Sequence, residues 1–344
     1  MADLKLLIFG AGAIGTYIGA SLLNSGQKVV FFDRPESASA ITASGLRLII
    51  GEQSVRFMQP EIRTTLPEAL AAGPFDAALV AVKSYDTPAL AQQLTPFKAQ
   101  LPPILCMQNG VENETILGDV LDAGNIIPGT LTSAIGKPAA GTAVLERLRG
   151  IGIAGSHGVS ERLVDGFNQA GLHARLYSAG ASMKWSKLLT NLLANASSAI
   201  LNMPPAAIYA HTGLFKMEAR QVREALTVMK KLNLRVVDLP GTPVRLLALL
   251  MQRFPAAIGQ PLAVRFLGSG RGNKMPSFHI VLHGGNQRSE VGYLNGAVVR
   301  YGERMGVPTP VNRFLTETLL SLTAREIPIS TFEKQPEKLL AAIF

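Results

Sequence analysis

Two constellations in the 344-residue chain combine residue types and spacings that suit chemistry. The first is Gly10-Ala-Gly-Ala-Ile-Gly15, which follows a short apolar run at 4–9. Ile14, Ile18 and Leu22 then recur at helical spacing, and a second apolar run at 28–32 ends at Asp33-Arg34. The order strand, glycine turn, helix, strand describes one βαβ unit of a parallel sheet. In that context Gly10 suits a tight turn, Gly12 lets the backbone approach a pyrophosphate, and Gly15 lets the helix pack closely on the strand. The free N–H groups and dipole of the helix N-terminus favour the phosphates. Gly10, Gly12, Ala13, Ile14 and Gly15 are therefore candidate cofactor-binding residues. Asp33-Arg34 pulls two ways, because an acid here takes the ribose hydroxyls of NADH, whereas an Arg pairs with the 2′-phosphate of NADPH. Lys83, at the end of the apolar run 77–82, would add a second cation to that phosphate. Arg34 and Lys83 together tilt the reading toward NADPH, and Asp33 keeps NADH open. As plain structure, either cation is a loop or strand-end charge reaching water.

The second constellation lies in 183–198, where Lys187, Asn191 and Asn195 fall at i, i+4 and i+8. On one helix they would share an arc of about 80°, which Lys184, Ser198 and Asn202 would join. Leucines 188, 189, 192 and 193 cover the neighbouring faces. A solvent-facing stripe is the plain alternative, but Asn is a poor helix former and exposed faces favour Glu, Lys, Gln and Arg. Amides needed for hydrogen bonding explain the pattern better. Asn109, in Gln108-Asn109-Gly110 after an apolar strand, is a candidate for a nicotinamide ribose or a substrate, or else a simple Asn-Gly turn. Glu290 follows Ser289, a candidate cap for a helix that buries Val291, Leu294 and Val298. It is either a site acid or a first-turn acid favoured by the helix dipole. His279 and His283 have the spacing of a helical metal pair but lack a third ligand, so they read as structural. The single cysteine, Cys106, reads as core.

These residues need a scaffold, and composition bounds it. With 47% hydrophobic and 17% charged residues the chain can bury large cores, and its length suits two domains. Apolar runs with polar or glycine ends continue at 104–107, 126–129 and 150–154, and short strands are expected at 45–50 and 54–58. Beyond about residue 180 the pattern becomes helical. The expected fold is an α/β Rossmann-type domain with a parallel sheet over 1–180, then an all-α substrate and dimerisation domain over 181–344. The formal charge of +9 comes from scattered cations, with 6% aromatics. That lacks the footprint of a nucleic-acid site and points to anionic small molecules. No apolar stretch approaches the ~18 residues of a membrane span, so no membrane role and a cytoplasmic location are expected. An exposed apolar helical face would suit a homodimer.

Taken together, the glycine turn, Val80-Ala-Val-Lys83, Gln108-Asn109-Gly110-Val111, Trp185-Ser-Lys187-Leu-Leu-Thr-Asn191 with Asn195, Ser289-Glu290-Val-Gly-Tyr-Leu-Asn295-Gly296 and Val307-Pro-Thr-Pro-Val-Asn312 resemble the ketopantoate reductases (2-dehydropantoate 2-reductases) over nearly the whole chain. The resemblance implies a Rossmann domain joined to a helical domain, with the active site in the cleft between them. It implies NADPH-dependent reduction of an α-keto acid, most simply ketopantoate to pantoate, as in pantothenate biosynthesis. Lys187 would be the catalytic lysine and Glu290 the acid that orders the site. Asn109, Asn191 and Asn195 would surround substrate and nicotinamide, and Arg34 and Lys83 would meet the 2′-phosphate. Ser277 matches the family's substrate-binding serine after a one-residue shift. Pro205 stands where the family has a further Asn, Asp33 replaces a small or apolar residue, and 268–273 is irregular. Another two-domain hydroxy-acid or opine-type dehydrogenase, or a non-catalytic NADP-binding regulator, would share part of this pattern.

Overall fold

A computed structural model describes residues 3–254, 256–265 and 275–343, so the irregular stretch 268–273 lies outside the described residues. The chain forms two compact units, Met1–Lys184 with Leu239–Thr242, and Trp185–Asp238 with Pro243–Phe344.

The first unit is built from β1 (Lys5–Phe9), α1 (Ala13–Asn24), β2 (Lys28–Phe32), α2 (Pro35–Ser44), β3 (Leu46–Ile50), β4 (Gln53–Phe57), β5 (Glu61–Arg63), α3 (Leu66–Ala71), β6 (Ala77–Val80), α4 (Thr87–Leu94), β7 (Ile104–Cys106), α5 (Asn113–Val120), β8 (Ile126–Leu131), β9 (Ala134–Gly136), β10 (Thr142–Arg147), β11 (Ile151–Ala154), α6 (Ser160–Gln169) and β12 (Ala174–Tyr177). Eight strands form one sheet in the order β12-β11-β8-β7-β6-β1-β2-β5. The central strands are buried on both faces, which is why they read as unbroken apolar runs. One face packs Leu6, Ile8, Leu79, Leu105 and Ile127 with Tyr17, Ile18 and Leu22 of α1 and Phe167 of α6. The other packs Leu7, Phe9, Val80 and Ile104 with Leu90 and Leu94 of α4 and Leu117 of α5.

The sheet is parallel except at β8 and β11, which pair antiparallel. Simple alternation across 126–154 does not hold there. The intervening chain forms β9 and β10, which join β3 and β4 in a separate four-stranded sheet ordered β4-β3-β10-β9. With no helical crossover between them, β11 can return beside β8 in the opposite direction. The apolar run 77–82 also leaves the ladder at Val80, two residues early. The segment Leu239–Thr242 packs back on this unit, where the Thr132 hydroxyl donates to Pro240 O at 2.8 Å and Gly241 (φ +59°) lies against Arg149.

The second unit is helical: α7 (Gly180–Leu192, whose first turn belongs to the first unit), α8 (Ala196–Leu201), α9 (Pro205–Ala210), α10 (Thr212–Lys231), α11 (Val244–Arg253), α12 (Ala256–Ala263), α13 (Ser277–His283), α14 (Asn295–Met305), α15 (Pro310–Thr323) and α16 (Pro336–Ile343). Pro205 is the first residue of α9, where its missing N–H costs nothing. Among the described residues no helix is long and apolar enough to cross a membrane.

Candidate active site

In the first unit the glycine turn joins β1 to α1. Gly10 adopts φ +97° and a Cβ there would meet Val82, so the turn and the tight approach both require glycine. A Cβ at Gly15 would stand 1.9 Å from the Gly10 carbonyl oxygen, which fixes α1 against the end of β1. Gly12 is different. It precedes α1 with no side-chain cap, and a Cβ there would meet nothing within 4 Å. The space above Gly12 and the start of α1 is what an approaching phosphate needs. The Asp33 carboxylate is bound into this turn: Oδ2 accepts Ala11 N–H at 2.7 Å and Oδ1 accepts Arg34 N–H at 2.8 Å. Asp33 therefore has a structural task at the glycine turn besides any ribose contact. Arg34 and Lys83 are both exposed, at the starts of α2 and of a 3₁₀ turn after β6.

Asn109 follows β7, and Gly110 after it turns at φ +93°. Its backbone is held from several sides. The Asn109 carbonyl accepts the Ser84 hydroxyl at 2.8 Å and the Asn113 amide at 2.7 Å. Thr87 donates to Asn113 Oδ1 at 2.7 Å and receives Gln108 Nε2 at 2.6 Å. Lys184, 4% exposed, donates to Gln108 O at 2.6 Å and Gly129 O at 3.1 Å, and pairs with Glu114 at 2.8 Å. Burial alone would lower the Lys184 pKa, but the Glu114 carboxylate, and secondarily Cys106, leave it raised. Cys106 is fully buried and its thiol is pushed well above the usual range, first by burial and then by Glu114. It is inert core, as the sequence suggests.

In the second unit Lys187 and Asn191 lie one turn apart on α7. Both are half-buried, whereas Trp185, Leu188, Leu189 and Leu192 around them are buried. The stripe does not continue as one helix to Asn195. α7 ends at Leu192, Ala194 takes φ +50°, and a new helix starts at Ala196. A non-glycine residue in this region carries a penalty of about 1–2 kcal/mol, so something must hold it. Glu218, fully buried on α10, accepts Ala194 N–H at 2.7 Å and the Ser197 hydroxyl at 2.6 Å. Gln221 donates to Glu218 at 2.6 Å and to Leu192 O at 3.3 Å.

Beyond the break, Asn195 is 5% exposed and its amide is engaged at both ends, Nδ2 donating to Asn191 O at 3.0 Å and Oδ1 accepting Phe278 N–H at 3.1 Å. Ser198 is buried and Asn202 closes α8 in a left-handed conformation, so neither shares a face with Lys187 on one continuous helix. Ser277 is exposed at the start of α13. The Ser289 hydroxyl does cap, accepting Val291 N–H at 3.2 Å, but it caps a 3₁₀ turn, Glu290–Tyr293, ahead of α14. Glu290 is half-buried in that turn. His279 and His283 stack at 4.1 Å and bond Asn202 Oδ1 and Ala199 O, holding α13 against α8.

Sequence reasoning missed Glu114, Glu218 and Gln221, and took Lys184 only as part of the stripe. The signal for Glu218 and Gln221 is present: they share the face of α10 on which Leu214, Met217, Val222 and Ala225 are buried. A charged residue on such a face needs partners, which a helix break with free backbone groups supplies. The network runs on through Asn295, which donates to Gln221 Oε1 at 3.0 Å and to Asn312 Oδ1 at 3.1 Å. Asn312 in turn donates to Glu224 at 2.7 Å.

Comparisons place this arrangement. The profile of the family Ketopantoate reductase PanE/ApbA matches residues 6–155, and that of its C-terminal part matches residues 181–322. A 2-dehydropantoate 2-reductase of Pyrococcus abyssi is 26% identical over 317 residues, covering 91% of this chain and 95% of its own. The crystal structure of a PanE/ApbA family ketopantoate reductase from Ralstonia eutropha JMP134 superposes with a TM-score of 0.78 at 26% identity, covering 94% of this chain and 99% of its own. A D-mandelate dehydrogenase in ternary complex with NADH and anilino(oxo)acetate shares the fold, with a TM-score of 0.75 at 23% identity over 94% of this chain and 99% of its own. With both halves of its length matched, the chain belongs to the PanE/ApbA ketopantoate reductase family and is thereby an oxidoreductase.

Proposed function

We propose that the protein reduces an α-keto acid to the α-hydroxy acid with NADPH, and that the substrate is 2-dehydropantoate, as in the names of its curated relatives. The observation that carries the reading is the pair Lys187 and Asn191, a cation and an amide half-exposed one turn apart on an otherwise buried helix. The glycine turn fits the cofactor: only at Gly12 would a Cβ occupy open space beside the start of α1, the approach a pyrophosphate requires. Arg34 and Lys83, exposed after β2 and β6 on either side of β1, suit the 2′-phosphate, while the bonds of Asp33 to Ala11 and Arg34 account for the acid without a ribose.

When bound, the reduced nicotinamide supplies a hydride to the keto carbon. The carbonyl π pair then moves onto oxygen, and the Lys187 ammonium stabilises that charge and donates its proton to give the hydroxyl. Asn191, Asn109 and Ser277 orient substrate and nicotinamide, Asn195 acts behind Asn191 through its bond to that residue's carbonyl, and Glu290 orders the site. The lysine recovers its proton from solvent. This chemistry would run in the cytoplasm, in pantothenate biosynthesis. Leu246 and Leu249, 51% and 40% exposed on α11, offer the apolar face for a homodimer.

The test is loss of reduced-nicotinamide absorbance with purified protein, NADPH and ketopantoate. Turnover preferring NADPH and ketopantoate supports the reading; tight NADPH binding without turnover on any α-keto acid sinks it. The likeness to a D-mandelate dehydrogenase solved with NADH and anilino(oxo)acetate supports a second reading, in which NADH reduces a different α-keto acid. It predicts faster turnover with NADH and with a bulkier keto acid than with ketopantoate.

A further inference from the structure

We propose that Lys184 is a positioning residue that fixes the Gln108–Asn109 turn for the nicotinamide half of the cofactor; this rests on the dinucleotide reading above. Lys184 stands one turn before Lys187 on α7, yet the two lysines differ in kind. Lys184, only 4% exposed, donates to Gln108 O and Gly129 O, and its ammonium lies 2.8 Å from Glu114 Oε1 as an ion pair. Buried against two backbone carbonyls and a carboxylate, it is placed to hold the backbone rather than to reach a substrate.

What Lys184 holds is specific. Gln108 O belongs to the peptide that leads directly into Asn109, and Gly129 O lies on the adjacent strand β8. The ammonium thus ties the segment leaving the C-terminal end of β7 to the neighbouring parallel strand β8, at the edge where an open α/β sheet binds its ligand. On the other side of the turn, Ser84 and Asn113 hold the carbonyl of Asn109. The peptides flanking Asn109 are therefore pinned from two directions. The Glu114 carboxylate keeps the buried ammonium charged, through proximity and a hydrogen bond. Substituting Lys184 by an apolar residue removes a donor from the Gln108 and Gly129 carbonyls and the cation beside Glu114, so the turn must rearrange.

The experiment compares wild type with Lys184→Met, titrating two probes, NADPH and 2′,5′-ADP. The second probe carries the phosphates and adenosine but no nicotinamide. A positioning role predicts that K184M weakens NADPH about tenfold, the scale of one lost well-placed contact, and leaves 2′,5′-ADP unchanged. Equal weakening of both probes, or no change in either, overturns the proposal. If K184M does not fold, Glu114→Gln serves instead: it keeps the lysine and removes the charge that holds it. A weaker shift in the same direction, again confined to NADPH, is expected, and an unchanged NADPH titration overturns the proposal. Wild type that binds neither NADPH nor NADH would instead defeat the dinucleotide reading itself.

Discussion

Asn195 Oδ1 accepts the backbone N–H of Phe278 at 3.1 Å, so the residue that opens α8 also satisfies the first turn of α13. Its Nδ2 meanwhile holds Asn191 O. Asn195→Ala removes both bonds and should destabilise the protein by about 1–2 kcal/mol, the size of a lost helix cap. Asn195→Asp retains the acceptor for Phe278 and loses the donor, so its urea midpoint should fall between those of wild type and Ala. An Ala variant as stable as wild type would show that these bonds contribute nothing.

Gly12, just before α1, and Gly15, in its first turn, should respond differently. Gly12→Ala has open space for its methyl group and should fold with stability within about 0.5 kcal/mol of wild type, yet lose NADPH affinity because the methyl stands where the pyrophosphate approaches. Gly15→Ala must displace the Gly10 carbonyl and should lose both stability and binding. Thermal melts beside NADPH titrations distinguish the two cases. Undiminished NADPH binding by Gly12→Ala would remove that turn from the cofactor site.

Lys187→Ala should reduce kcat by about 10²–10⁴, the range for a lost proton donor. NADPH binding should be nearly unchanged. A parallel loss of NADPH affinity would mark Lys187 as structural and return the proton-donor role to another group.

Acid should weaken the contact between α8 and α13. The His279 pKa is lowered, first by burial and then by the neighbouring His283. A folded pKa below the unfolded value of 6.5 means that the unfolded chain takes up the proton first as pH falls. The stability contributed by neutral His279 is therefore present above pH 6.5 and is lost as pH falls below it. Melts at a series of pH values across this range should show a decline that His279→Gln lessens. A pH-independent difference between the two proteins would contradict it.

The α/β half was legible where the physics is local. A strand buried on both faces has to be apolar throughout, and a turn such as Gly10 to Gly15 leaves its mark at fixed offsets. Strand β10 was not legible, because it pairs with β3 across about ninety residues and its alternation is weak. The break after Leu192 was hidden for a related reason. The group that holds it, Glu218, is on a different helix, and the apolar spacing of 188–201 runs through the break with no glycine or proline to mark it. Lys187, Asn191 and Asn195 carry a pattern along the chain, whereas the task of Lys184 depends on Glu114 and on the backbone at Gln108 and Gly129, distant in sequence.

The return of Leu239–Thr242 to the first unit has a consequence for biosynthesis. A ribosome delivers the chain from its N-terminus, so every strand of the large sheet has emerged well before this strap exists. A nascent chain ending at Lys184 still has the Gly150 carbonyl as partner for the Thr132 hydroxyl, but lacks Pro240 O. The α/β half therefore completes its packing only after α7 to α10 of the other half have been synthesised. Cutting the gene at residue 184 to obtain a minimal module would leave that half one segment short.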